Sequence, residues 1–151
     1  MSREAIDPQV VINTLKHLAE DCRIRALGFG ECAAYVRLPA LQRLLWASAE
    51  DCRAAAAELD ILINGPTATA HGSQHDATRW GPQLTQALGR NSDRAVLEEC
   101  LRGQEGIRYR YERALTIPMP VGIRRALQRH FGGMLRYAEK IRALRLAPGL
   151  H

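Results

Sequence analysis

Residues 8–36, PQVVINTLKHLAEDCRIRALGFGECAAYV, decide the fold. Val11 or Ile12, Leu15, Leu18 or Ala19, Cys22, Arg25 or Ala26, Phe29, Cys32 or Ala33 and Val36 advance by alternating threes and fours. That spacing stacks side chains on one face of an α-helix and marks a buried seam. Pro8 fits a first helical turn, where its missing N–H leaves nothing unpaired, and Asp7 is placed to cap it. A break at 37–38 leads into a second helix over about 39–63, with Leu41, Leu45, Ser48, Cys52, Ala55, Leu59 and Leu62 inward. So short a break makes the two helices antiparallel neighbours.

From 64 to 91 the pattern dissolves into NGPTATAHGSQHDATRWGP and its flank, with one short helix expected at 82–88. Ser92 or Asn91 then caps a third long helix over about 93–115, whose stripe is Val96, Cys100, Gly103 or Gln104, Ile107, Tyr111 and Ala114. A break at 116–120 opens a fourth over about 120–145, with Ile123, Leu127, Phe131, Met134, Ala138, Ile141 and Leu144 inward. The expected architecture is therefore all-α and a single domain over 1–151: a four-helix bundle of two antiparallel hairpins joined by one long crossover at 64–91. This is the topology of ferritin-like bundles.

The 151 residues, 46% apolar, suffice for one core. No run approaches the roughly 20 apolar residues of a membrane span, and acids at 1–8 stand where a signal peptide is basic and then apolar, so a cytoplasmic protein is expected. Cys22, Cys32, Cys52 and Cys100 form no C-x-x-C pair and lie within helical apolar patterns, which reads as reduced core side chains. The formal charge is +5, nearly all of the basic residues being arginine. Glu20, Glu50, Glu99, Glu105 and Glu139 each precede an arginine by three positions, the pattern of a solvated, ion-paired helix face. Arg124, Arg125 and Arg129 are the one local basic excess, without interleaved aromatics, so nucleic acid is not expected as a partner and neither is a membrane.

Gly28-Phe29 with Glu31, Ala55-Ala56-Ala57-Glu58-Leu59, Glu99-Cys100 with Arg102-Gly103 and Tyr111, and Ile141-Arg142-Ala143-Leu144-Arg145 together resemble a small bacterial ferritin-like family of unknown function, domain of unknown function 2383. The likeness runs from about Val11 to Arg145. It implies a ferritin-like four-helix bundle associated in oligomers. The family pattern places acids where this chain has Ala26, Ala34, Gln104 and Gly132, and a histidine where it has Ala138. Folding the second hairpin about residue 118 sets Gln104 and Gly132 at similar height, where two carboxylates would have shared a metal; here neither position ionises.

A di-iron or di-manganese bundle needs two Glu-x-x-His motifs, because residues three apart on a helix face one ion, plus two further glutamates. No glutamate here has a histidine three positions on, and neither H-E-x-x-H nor a cysteine zinc pattern occurs. Glu31, Asp51, Glu58 and Glu105 are the residual acidic metal candidates, Asp51 and Glu58 sharing a face seven residues apart. The preferred reading makes such acids partners of interior or boundary arginines. His71 and His75, with Asp76, have ligand spacing only if helical, and their surroundings read as loop. His17, His130 and His151 are isolated. With no G-x-S-x-G, phosphate loop or dinucleotide fingerprint, no catalytic residue and no cofactor is assigned.

Two readings follow: a non-catalytic bundle with a degenerate metal site, acting through self-association or an unidentified protein partner, or a metal-binding oxidoreductase or metal-handling protein of the di-iron type. The missing ligands favour the first. Arg25, on the inward stripe, is expected to pair with Asp51 or Glu58, since a buried guanidinium without a carboxylate is costly. Trp46 and Leu27 lie just off their stripes and Trp80 sits in the crossover, which predicts a homodimer or higher homo-oligomer.

Overall fold

The computed structural model describes residues 5–65, 82–90 and 92–151. Among these residues five helices follow in order: α1 (Pro8–Tyr35), α2 (Pro39–Asn64), α3 (Pro82–Gly89), α4 (Asp93–Ala114) and α5 (Val121–Ala143), with a 3-10 turn at Leu144–Leu146. There is no strand among the described residues. The expected boundaries hold to within two residues.

Local chemistry sets the ends. The Asp7 carboxylate accepts from the Gln9 and Val10 amides and Pro8 opens α1, satisfying donors that the first turn leaves orphaned. Ser92 Oγ accepts from Ala95 N at the start of α4. Pro39 opens α2 without a side-chain cap. Lys140 and Arg142 occupy the last turn of α5, where the helix dipole favours positive charge.

Cross-helix pairs fix the directions. Between α1 and α2, Gln42 Nε2 donates to Ala33 O and Arg23 pairs with Asp60, so rising numbers on one helix meet falling numbers on the other. The same holds for α4 and α5 (Glu98 with Arg145, Tyr111 against Phe131) and for α1 and α4 (Asp21 with Arg110, Cys22 with Tyr111). Each long helix is thus antiparallel to its neighbours around the square α1–α2–α5–α4. α2 and α4 lie on a diagonal, parallel. The Asp93 carboxylate, in the first turn of α4, accepts from Arg37 N at 2.9 Å and Leu38 N at 2.7 Å at the α1–α2 corner. α4 therefore starts at the end opposite to where α2 finishes, a helix as long as α2 measuring about 39 Å.

Burial follows the stripes on α1 and α4 throughout. On α2 the last turn differs: Leu62 is exposed, and Ala56 and Asp60 are buried instead. The reason is the ion pair of Asp60 with Arg23, which turns that face of the helix inward. Of the five expected i, i+3 pairs, four form, but Arg108 bonds Glu112 rather than Glu105, at 2.9 Å. The final turn of the expected fourth helix tightens to 3-10.

The core is two apolar clusters. One holds Phe29, Cys32, Leu41, Leu45, Leu97 and Ile141; the other holds Leu15, Leu18, Leu59, Ile107, Tyr111 and Leu127. They part at mid-height, where Arg25 of α1 and Gln104 of α4 face each other, both buried.

Candidate functional site

The polar layer is built by opposed stripes. Arg25 and Gln104 each continue an inward helical row, so the fold brings them together at the bundle centre. Arg25 donates to Gln104 Oε1, Gln104 Nε2 donates to Met134 O at 3.1 Å, and the Arg25 guanidinium sits 4.7 Å from the Phe29 ring centroid. An aromatic face and a side-chain carbonyl both suit a desolvated guanidinium. Burial nevertheless lowers the Arg25 pKa, with Cys52, Cys100 and Cys22 opposing that shift.

Beside this layer a cavity of about 330 Å³ runs from the bundle axis to the surface between α2 and α5. Its inner wall is buried: Cys22, Phe29, Ser48, Cys52, Gln104 and Tyr111. Its rim is exposed or half-buried: Asp51 and Glu58 from α2, Arg129, His130, Arg136 and Tyr137 from α5. Volume and lining resemble those of small-molecule sites, apolar in depth with a few polar groups.

The rim groups are coupled. Glu58 accepts from Arg129 at 3.0 Å and meets His130 Nε2 at 2.6 Å. Burial alone would raise the Glu58 carboxyl, but hydrogen bonds from Arg129 and His130 outweigh it and hold the pKa below its usual value. His130 shifts down, because desolvation of its nearly buried ring exceeds the pull of Glu58. The neutral ring donates from Nε2 to the carboxylate. Ser48 Oγ and His130 Nδ1 are buried without a hydrogen-bond partner among the described residues. Asp51 bonds the Tyr137 hydroxyl, whose pKa rises through burial and this carboxylate.

Three thiols are suppressed. Burial pushes Cys22 up to about 12, against a contact with the Tyr111 hydroxyl at 3.4 Å. Cys52 is raised by burial, and Cys100 by its hydrogen bond with Cys32 and by burial. All four cysteines are free and buried, as the sequence indicates. A thiol reacts as thiolate, so Cys22, Cys52 and Cys100 are not activated nucleophiles.

The donor set does not fit a di-metal centre of the ferritin type. At the inward positions stand Ala26, Cys22, Cys52, Gln104 and Ala138, and the Gln104 amide is engaged on both sides. The carboxylates that line the cavity, Asp51 and Glu58, are at its rim. A guanidinium at the centre repels a divalent cation in the low-dielectric interior. Among the described residues no three His, Cys, Asp or Glu side chains converge to hold a metal.

Of the acidic candidates, Glu31 and Glu105 are exposed and apart, while Asp51 and Glu58 share the rim. His71, His75, Asp76 and Trp80 lie outside the described residues. The expected pairing of Arg25 with Asp51 or Glu58 is corrected: Arg25 meets Gln104 and Phe29, Glu58 is taken by Arg129 and His130, and Asp51 faces Tyr137. The Arg25 side chain ends at the bundle centre, against Gln104 of α4 and Cys52 of α2, so it reaches α2 at a thiol and not at a carboxylate. His130, isolated in the sequence, is a rim residue; its partner is 72 positions away, and no local spacing signals it.

Fold and cavity define an all-α bundle with a solvent-connected interior pocket. The chain matches the family model described as "Domain of unknown function (DUF2383)" over residues 10–116, and it belongs to that family. The matched span ends before α5, so the likeness at 141–145 stands outside it. No curated protein matches the chain. No helix is long and apolar enough to cross a membrane among the described residues.

Proposed function

We propose that this chain is a non-catalytic, cytoplasmic bundle of ferritin-like descent, with a degenerate metal site, that acts by associating with itself, as a dimer in the simplest form. One observation carries this reading: Trp46 and Leu27 are 44% and 43% exposed on the same hairpin. The Trp46 ring leans across to α1, its Cζ3 lying 3.7 Å from where a Gly30 Cβ would stand, a turn from Leu27. An exposed indole beside an exposed leucine is the surface that association covers. The buried Arg25–Gln104 contact supports the non-catalytic half, since it puts a cation and an amide where a metal enzyme needs carboxylates.

Light scattering at tens of micromolar should give twice the chain mass, and Trp46→Glu should give a monomer with unchanged helix content. A monomeric wild type overturns the association. Ferrous iron added and then removed by buffer exchange should leave no stoichiometric metal; iron retained as a bridged pair overturns the non-catalytic reading.

A further inference from the structure

We propose that the cavity between α2 and α5 binds a small amphiphilic anion, a medium-chain carboxylate, with its apolar tail against the inner wall and its head at the α5 rim. The inference goes beyond self-association and uses a different face of the molecule. It rests first on shape and lining: about 330 Å³ walled largely by Phe29, Cys22, Cys52, Ala55 and Met134 admits a narrow apolar chain, and the polar groups at depth, Ser48, Gln104 and Tyr111, carry no charge to hold an ionic head.

The sign of the head follows from the rim. Arg129 meets the charge of Glu58, while Asp51, hydrogen-bonded to the neutral Tyr137 hydroxyl, keeps its charge on the α2 side of the mouth. Arg136 also lines the cavity and makes no ion pair among the described residues. Its guanidinium folds back over Gly132 and Gly133, 3.4 and 3.8 Å from where their Cβ atoms would stand. Larger residues there would lift it off the mouth. Beyond the rim, Arg125 and Lys140 continue the same side of α5, at i, i+4 spacing below Arg129 and above Arg136. From 121 to 146 there are seven arginines and lysines, of which Arg129, Arg142 and Arg145 are paired with Glu58, Glu139 and Glu98; Arg124, Arg125, Arg136 and Lys140 are left in excess, so the field on the α5 side of the mouth favours an anion. A carboxylate suits a guanidinium fork, which pairs with it through two hydrogen bonds.

Titration calorimetry on the full chain, with decanoate and decylammonium as probes, tests the proposal. Decanoate should bind saturably, one per chain, and decylammonium at least roughly tenfold more weakly, the scale of one charge-assisted pair. Arg136→Gln, at an exposed position, should erase that difference. Ala55→Phe should fill the cavity and abolish binding of both probes, with circular dichroism confirming that the fold persists. Absence of saturable decanoate binding, equal affinity for both probes, or binding that survives Ala55→Phe would each overturn it. None of these results bears on the oligomeric state, so the two proposals fail separately.

Discussion

Arg25 on α1 donates to Gln104 on α4, and Gln104 passes a hydrogen bond on to the Met134 carbonyl of α5, so one uncharged amide ties three helices where the apolar core divides. Its two sides are unequal in energy. Gln104→Ala removes a carbonyl acceptor from a buried guanidinium and should destabilise by about 2–3 kcal/mol, because hydrogen bonds to charged groups are the costly ones to lose. Arg25→Met exchanges the charge for an apolar side chain of similar reach and should be neutral or stabilising. Urea denaturation of both variants and of the double variant checks this. An Arg25→Met loss larger than that of Gln104→Ala would contradict it.

Asp93 should matter more than an ordinary first-turn acid. Its carboxylate, on a residue 7% exposed, takes the Arg37 and Leu38 amides of the α1–α2 corner. Asp93→Ala strands both donors and should cost about 3 kcal/mol, while Asp93→Asn, which keeps one acceptor oxygen, should cost about half as much. Thermal melts at neutral pH separate the two. Equal losses would mean that the corner does not depend on the acceptor.

Acidification should weaken the protein in two stages. His130 has a folded pKa below its unfolded value, so its contribution is present at high pH and is lost as pH falls through the imidazole range near 6.5. Glu58, also held below its ordinary value, contributes above the carboxylate range and loses that contribution as pH falls through its folded pKa. Both have the same sign. His130→Gln should remove the first stage from a plot of Tm against pH and leave a lower stage. A Tm that rises between pH 7 and pH 5.5 would show the His130 shift to have the opposite direction.

Glycines inside helices offer a gain. A Cβ at Gly133 would meet only the Arg136 side chain at 3.8 Å, and one at Gly106 only the Arg110 side chain at 3.6 Å, both flexible. Glycine in a helix interior is worth about 0.5–1 kcal/mol less than alanine. Gly106→Ala should therefore raise Tm by roughly 2–4 °C, and Gly133→Ala by a similar amount while crowding Arg136. A drop in Tm for Gly106→Ala would expose a constraint at that position.

How much was legible in the sequence differs between helices and site. Alternating threes and fours placed α1 and α4 and their buried faces, because a long amphipathic row admits one inward side. The end of α2 was misread at Leu62, where the Arg23–Asp60 pair overrides apolar periodicity. Arg25 was rightly read as inward but given the wrong partner. Hairpin register gives height along the axis, whereas the direction a long side chain takes across the bundle depends on all four helices. The rim joins Glu58 to Arg129 and His130, 71 and 72 residues later, a relationship without a local signature.

The parallel diagonal of α2 and α4 has a consequence for assembly. Each hairpin closes through a short connection, but the end of α2 and the start of α4 stand at opposite ends of the bundle, so docking one hairpin onto the other resembles association of two molecules held at a raised effective concentration. Severing the chain between Gly65 and Pro82 should then yield two fragments that find each other again when mixed, with a rate set by their concentration. The first hairpin and the α4–α5 hairpin act as complementary halves, and the covalent thread between them supplies nearness rather than shape.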